Sequence, residues 1–257
     1  MKDILEYSKQ AANDYPFVYQ DTMENLLSDD LSKSLGSYEE KLLNNISKKG
    51  ELYNILKKSN KYRRPESYKD FYSFDTSNLE DILIDNYVYA YRSGGQQAYK
   101  DFNQDKEFKL KFNDLTFITA SIQLNISNIN KSYSNLIVSK LIKSFKGNKS
   151  FSEFFDDLSG YKDFKKSADE SYVPPMPNKQ NIIENFKTRE ISRHVNEGRF
   201  SGYNNTGRII NYIYKTRADE RVSTICAPWH NQVLLPDKIR GVLPQHRNCR
   251  CTIVPFE

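Results

Sequence analysis

Residues 216–257 read TRADERVSTICAPWHNQVLLPDKIRGVLPQHRNCRCTIVPFE. This stretch holds all three cysteines of the chain (Cys226, Cys249, Cys251), two of its three histidines (His230, His246) and its single tryptophan, Trp229. No upstream stretch is as dense in groups that can bind a metal or do chemistry. Its apolar residues come in short runs. Residues 233–235 (VLL) and 251–254 (CTIV) have the length and branching of strands. The β-branched and aromatic run 209–214 (IINYIY) just before them is the best strand signal in the chain. Ahead of that, residues 181–199 place Ile182, Ile183, Phe186, Ile191 and Val195 at helical spacing. A helix followed by three short strands makes a small α+β unit, and it closes a chain whose other patterns are helical. The expected fold is therefore α+β: a mostly α-helical N-terminal two-thirds and a small C-terminal domain of a helix plus short strands.

The upstream patterns are those of amphipathic helices. Leu26, Leu27, Leu31 and Leu35 recur on one side, as do Leu42, Leu43 and Ile46. Ser37, three residues before Glu40, reads as a capping box opening a helix, and Gly50 reads as a stop after which a helix resumes. Residues 59–77 read as a connector, because Pro65 disfavours helix at Arg64 and no apolar period survives. Leu79, Ile82, Leu83, Tyr87 and Ala90 share a face of a helix that Gly94-Gly95 interrupts. Two further apolar patterns lie around 115–124 and 136–145. In the second, Val138, Leu141, Ile142 and Phe145 form a stripe, and Gly147 ends it at a left-handed cap. Ser150 and Glu153 open another short helix with Phe154, Phe155 and Leu158 inward. Residues 172–177 (YVPPMP) forbid helix and read as a hinge. The division along the chain is then 1–77, an N-terminal helical arm and connector; 78–177, a helical domain; and 178–257, the α+β domain.

Charge is uneven. The net formal charge is +5, yet residues 178–257 carry 13 Lys+Arg against 7 Asp+Glu, and the rest of the chain is close to neutral. Nine of the 12 arginines lie in that last third. Arginine makes forked contacts with phosphate and carboxylate, so a polyanion or an acidic partner would bind there; a solvated basic face is the plainer reading. An odd number of cysteines does not make a disulfide framework. The N-terminus lacks the charged flank and apolar run of a signal peptide, and no segment is long and apolar enough to span a membrane. The expectation is a soluble protein made in a cytoplasm.

The terminal stretch offers five soft or borderline ligands: Cys226, His230, His246, Cys249 and Cys251. Zinc takes four such ligands in a tetrahedron at roughly 2.0–2.3 Å. A small unit with few strands has reason to use a metal, since its own core supplies little stability. The alternative is ordinary packing: extended residues 249–251 put both thiols on one face, which can simply be the core side of a strand. Catalysis is a third reading. Cys226 with a histidine makes a thiolate–imidazolium pair, and His230 with His246 makes an acid–base pair of the nuclease kind. Asp219 and Arg221 read as a strut for the loop to Cys226, with Arg217 and Arg221 on phosphate as the functional alternative.

Taken together, these residues resemble the Mu F-like head morphogenesis family, the minor head proteins of tailed bacteriophages. That family's end motif runs roughly D-x-R-T/V-C-x-x-C-x-x-L-H/D/N-G, a variable loop, then P-P-x-H-x-x-C-R-C. Asp219, Arg221 and Val222 match its opening and Cys226 its second cysteine, with Ser223 in place of the first. Trp229 and His230 follow, and Asn231 stands where glycine is usual and tolerates the same left-handed turn. Leu243 replaces the first proline, while Pro244, His246, Cys249, Arg250 and Cys251 match. Looser agreement extends over residues 78–257, including Thr188, Arg189, Glu190, Asn196 and Gly198, and leaves residues 1–77 unaccounted for. The resemblance implies a virion structural protein, not an enzyme. It would act in head morphogenesis inside the capsid near the portal, after assembly in the host cytoplasm and with no membrane in the assembled head. Its partners would be the portal protein, the major capsid or scaffolding proteins and double-stranded DNA. The candidate phosphate contacts are Arg217, Arg221, Arg247 and Arg250, and a structural zinc is the possible cofactor. The enzyme alternative is a nuclease-like or toxin-like terminal domain using His230 and His246.

Overall fold

The computed structural model describes residues 18–59, 65–159, 179–208, 211–216, 223–239, 242–246 and 249–256. The protein is mostly helical, with a small three-stranded antiparallel sheet near the C-terminus, as its periodicities predict. Helices α1 (Val18–Ser47), α2 (Gly50–Lys58), α3 (Ser77–Asp101), α4 (Phe112–Lys146) and α5 (Phe151–Ser159) come first. A second helical run joins α6 (Lys179–Glu184), a π-helical turn (Asn185–Glu190) and α7 (Ile191–Asn205). The sheet follows, with β1 (Asn211–Lys215), β2 (Val233–Leu234) and β3 (Thr252–Phe256), and a short α8 (Pro236–Ile239) lies between β2 and β3. Among the described residues, no helix is long and apolar enough to cross a membrane. The proline-rich hinge at 172–177 lies outside the described residues.

Two compact units emerge, each assembled from separate parts of the chain. One comprises residues 1–31, 81–122 and 180–257; the other comprises residues 32–80 and 123–179.

The second unit is built on aromatic side chains. Tyr53 packs on Phe145, Phe151 and Phe154, with ring centroids 5.0–5.5 Å apart, and its hydroxyl donates to the Lys149 carbonyl at 2.9 Å. Phe71 and Tyr68, in a 3₁₀ turn at Pro65–Phe71, are fully buried, so the connector is anchored in this core. The short helix opens at Ser150 as expected, through a capping box with Glu153: the Glu153 carboxylate accepts from the Ser150 amide at 2.7 Å, and the Ser150 hydroxyl accepts from the Glu153 amide at 3.2 Å.

Four local expectations need correction, each for a physical reason. No helix opens at Ser37. Leu35, Tyr38, Leu42 and Ile46 continue one buried stripe, so tertiary burial carries α1 straight through Gly36 and Ser37. The two patterns at 115–124 and 136–145 belong to one helix of 35 residues, bridged by buried Ile126, Ile129 and Tyr133. That helix does end where Gly147 stands, but the left-handed residue is Asn148 (φ 52°). Lys149 donates back to the Ser144 carbonyl at 2.9 Å and Asn148 to that of Phe145 at 3.2 Å, a Schellman closure with asparagine in the glycine role. Its buried stripe also runs through Ile137, Leu141 and Phe145, leaving Val138 and Ile142 half-buried.

The fourth correction concerns the glycines of the first unit. Gly94-Gly95 does not interrupt α3, and α7 does not stop at Arg199 but continues to Asn205. A β-carbon on Gly94 would lie 2.0 Å from the Val195 carbonyl oxygen, and one on Gly198 would lie 2.0 Å from that of Tyr91. One on Gly202 would lie 2.6 Å from the Ala98 side chain. The glycines let two helix backbones touch, a packing role that outweighs glycine's weak helix propensity.

Candidate metal centre

The sheet order is β2-β1-β3, all antiparallel, with Tyr214 paired to Ile253 and Lys215 to Thr252. Alternation sends Tyr212 and Tyr214 of β1 inward, where they meet Ile253, Phe200, Tyr203, Ala98 and Phe102. The three cysteines belong to this same core.

Asn196 closes the outer edge of β3. Its side-chain amide donates to the Cys251 carbonyl at 2.9 Å and accepts from the Ile253 amide at 3.2 Å. One residue's carbonyl and the amide two residues on point to the same edge of a strand, so the amide group replaces a neighbouring strand. The Thr252 hydroxyl donates to Asn196 Oδ1 at 2.8 Å, and buried Arg199 donates to Thr252 Oγ1 at 2.8 Å and to the Ile253 carbonyl at 3.0 Å. Helix α7 thereby fixes the backbone immediately after Cys249 and Cys251.

On that frame the sulfurs of Cys226, Cys249 and Cys251 converge, all within 4.8 Å of one another and all buried. Cys226 Sγ and Cys249 Sγ are 3.8 Å apart. A tetrahedron with metal–sulfur bonds of about 2.3 Å has an edge of about 3.8 Å, so the spacing suits a shared ion. Half-buried His246 has its Nε2 at 3.1 Å from Cys226 Sγ. The Tyr214 hydroxyl donates to Cys226 Sγ at 3.4 Å. Three buried cysteines clustered in this way can hold a metal ion.

The electrostatics of the three thiols differ. Cys249 is pulled down to about 5 by the hydrogen bond from the Cys251 thiol, against the opposing effect of burial, with help from the Cys251 and Gln245 backbone amides. Cys251 is pushed up, first by donating that hydrogen bond and then by burial; Cys226 is pushed up chiefly by burial. One sulfur therefore carries anionic character in the interior, a state that a bound cation compensates.

The five-ligand set of the terminal stretch thus divides. Cys226, Cys249 and Cys251 come together with His246 alongside. His230 is directed elsewhere: its Nδ1 accepts from the Thr216 amide at 3.2 Å and lies 2.7 Å from the Thr216 hydroxyl. Asn231, placed where a left-handed turn is expected, has φ 65°. Pro244 follows a cis peptide bond from Leu243 and is half-buried. Ser223, in the place of a first motif cysteine, accepts with its carbonyl from the amides of Cys226 and Ala227, both at 2.9 Å, and so shapes the turn that delivers Cys226. Of the candidate DNA-contact residues, Arg250 is half-buried between the candidate ligands Cys249 and Cys251, while Arg217, Arg221 and Arg247, and Asp219 of the expected strut, lie outside the described residues. Sequence reasoning did not single out Tyr214, Thr216 or Arg199; the inward phase of β1 was the available signal for Tyr214.

No family model, no curated protein and no solved structure matches this chain.

Proposed function

We propose that the chain is a minor head protein of a tailed bacteriophage, a structural component of the portal vertex whose C-terminal α+β unit is stapled by a zinc ion. The observation that carries this reading is the convergence of the Cys226, Cys249 and Cys251 sulfurs in the core, with half-buried His246 at 3.1 Å from Cys226 Sγ. Three of the residues that carry the resemblance to the Mu F-like family, Cys226, Cys249 and Cys251, come together in the interior, where they can hold a fold together and are closed to a large substrate. Zinc suits three thiolates and an imidazole better than magnesium or calcium, which prefer oxygen. The ligands in this reading are Cys226, Cys249, Cys251 and His246. The partners are the portal protein, capsid or scaffolding proteins and, through the arginine-rich last third, the phosphate backbone of packaged DNA, which would bind without regard to sequence and with strong salt dependence.

The enzyme alternative, with His230 and His246 as acid and base, has less support. The first ring is engaged by Thr216 and the second faces a thiol.

Two measurements test the proposal. Fractionation of purified virions should recover the chain in the head, and its absence from particles would defeat the structural role. Elemental analysis of the purified protein should find a single zinc ion per chain; a metal-free, fully folded preparation would defeat the staple.

A further inference from the structure

The geometry points to Tyr214 as the hydrogen-bond donor that stabilises this metal site from outside its ligand set, a positioning residue for the Cys226 thiolate; this rests on the zinc reading above. Three thiolates, a neutral imidazole and a zinc dication leave one net negative charge in a buried core. A buried charge is tolerated only where hydrogen bonds meet it. The Tyr214 side chain is fully buried, and its hydroxyl donates to Cys226 Sγ at 3.4 Å. Cys226 Sγ also lies 3.1 Å from His246 Nε2 and 3.8 Å from Cys249 Sγ, so the donor serves a ligand that touches two other members of the group.

The tyrosine is held for this task. Its amide donates to the Gln232 carbonyl at 3.0 Å and its carbonyl accepts from the Asn231 amide at 2.8 Å. Its ring packs beside Trp229, and its Cα is paired with that of Ile253 in β3. The strand that carries the donor and the strand that follows the Cys249 and Cys251 ligands are therefore in fixed register. Groups that hydrogen-bond to metal ligands tune affinity as well as orientation, and their loss commonly costs about 10- to 100-fold in metal binding. A hydroxyl on a thiolate also withdraws electron density from the sulfur–metal bond, which a spectroscopically active metal reports.

The experiment compares the full-length wild-type chain with Tyr214→Phe, which keeps the ring and removes only the hydroxyl. Zinc affinity is read by competition with a chromophoric chelator, and the thiolate-to-cobalt charge-transfer band is read after loading cobalt(II). The expected result is about 10- to 100-fold weaker zinc binding and a shifted band, with the circular dichroism of the folded chain retained. Equal affinity and an unshifted band would overturn the role of Tyr214 while leaving the zinc site intact. A wild-type chain that takes up no zinc or cobalt would overturn the zinc reading itself. Should Tyr214→Phe fail to fold, a ring-fluorinated tyrosine at position 214, a stronger donor of the same shape, should shift the cobalt band in the opposite direction to hydroxyl loss in the metal-loaded protein. An unmoved band there would likewise defeat the inference.

Discussion

Gly198 of α7 lies so close to Tyr91 of α3 that an added β-carbon would stand 2.0 Å from the Tyr91 carbonyl oxygen. Gly94 makes the reciprocal approach to Val195, also at 2.0 Å. The obstructing atoms are backbone, which cannot rotate away. Gly198→Ala and Gly94→Ala should therefore each destabilise the first unit by at least the ~1–3 kcal/mol typical of overpacking. Gly147→Ala is the control, because its nearest backbone atom, the Lys143 carbonyl oxygen, would stand at 3.4 Å. Urea denaturation of the three variants checks the contrast, and equal midpoints for all three would show that the helices do not cross here.

His194 sits in the same first unit, fully buried and stacked on Tyr87 with ring centroids 3.9 Å apart. Its Nδ1 faces the Glu190 carbonyl at 2.7 Å, and its Nε2 has no hydrogen-bond partner among the described residues. Burial, with a smaller contribution from nearby Arg193, pulls the imidazole down to about 3, although the Glu190 carbonyl acts the other way. The unfolded chain binds this proton near pH 6.5, and the folded chain does so only near pH 3. The neutral-histidine stability is thus complete above about pH 6.5 and is lost as pH falls toward 3. The slope contributed in that window is at most about 1.4 kcal/mol per pH unit. His194→Phe should flatten the pH dependence of the denaturation midpoint between pH 6.5 and 4; a profile parallel to the wild type would refute the assignment.

These two sites show what was legible in the chain and what was not. Helical stripes such as Leu79, Leu83 and Tyr87 report burial through spacing alone, and the branched run before Lys215 reports a strand. Glycine is ambiguous in sequence. Gly94 weakens a helix by propensity and enables one by close packing, and only the position of Val195 decides between them. That Cys226, Cys249 and Cys251 could hold a metal was readable from residue type. The separation of His230 from His246 was not, because it depends on Thr216 lying beside the first ring. Asn196 lies in one helix with other buried polar residues, Ser192, His194 and Arg199. That pattern signals a buried hydrogen-bonding task without saying that the partner is a strand some 55 residues on.

That task gives a further prediction. Asn196→Leu fits a buried helical position but leaves the Ile253 amide without the side-chain acceptor that closes this edge, while the Cys251 carbonyl keeps only the longer bond from the Ser192 hydroxyl at 3.3 Å. An unsatisfied buried group costs about 1–3 kcal/mol, and a loss of about that size is expected. Hydrogen exchange at the Ile253 amide should accelerate along with the fall in stability. Unchanged protection at Ile253 would mean that the amide does not serve as the missing strand.

The division between the two histidines gives the sharpest test of the metal centre. His246 Nε2 lies 3.1 Å from Cys226 Sγ, whereas His230 is engaged by Thr216. His246→Ala should therefore lower zinc content and weaken binding by tenfold or more, and His230→Ala should leave both nearly unchanged. Cys249→Ser removes the sulfur with the strongest anionic character, and it should abolish zinc retention and lower the denaturation midpoint of the reduced protein. A chelator strong enough to strip the wild type should bring its midpoint down to that of Cys249→Ser, since both end in the same metal-free state. If chelation leaves the wild-type midpoint unmoved, the cysteines are core residues that stabilise the terminal unit by packing alone.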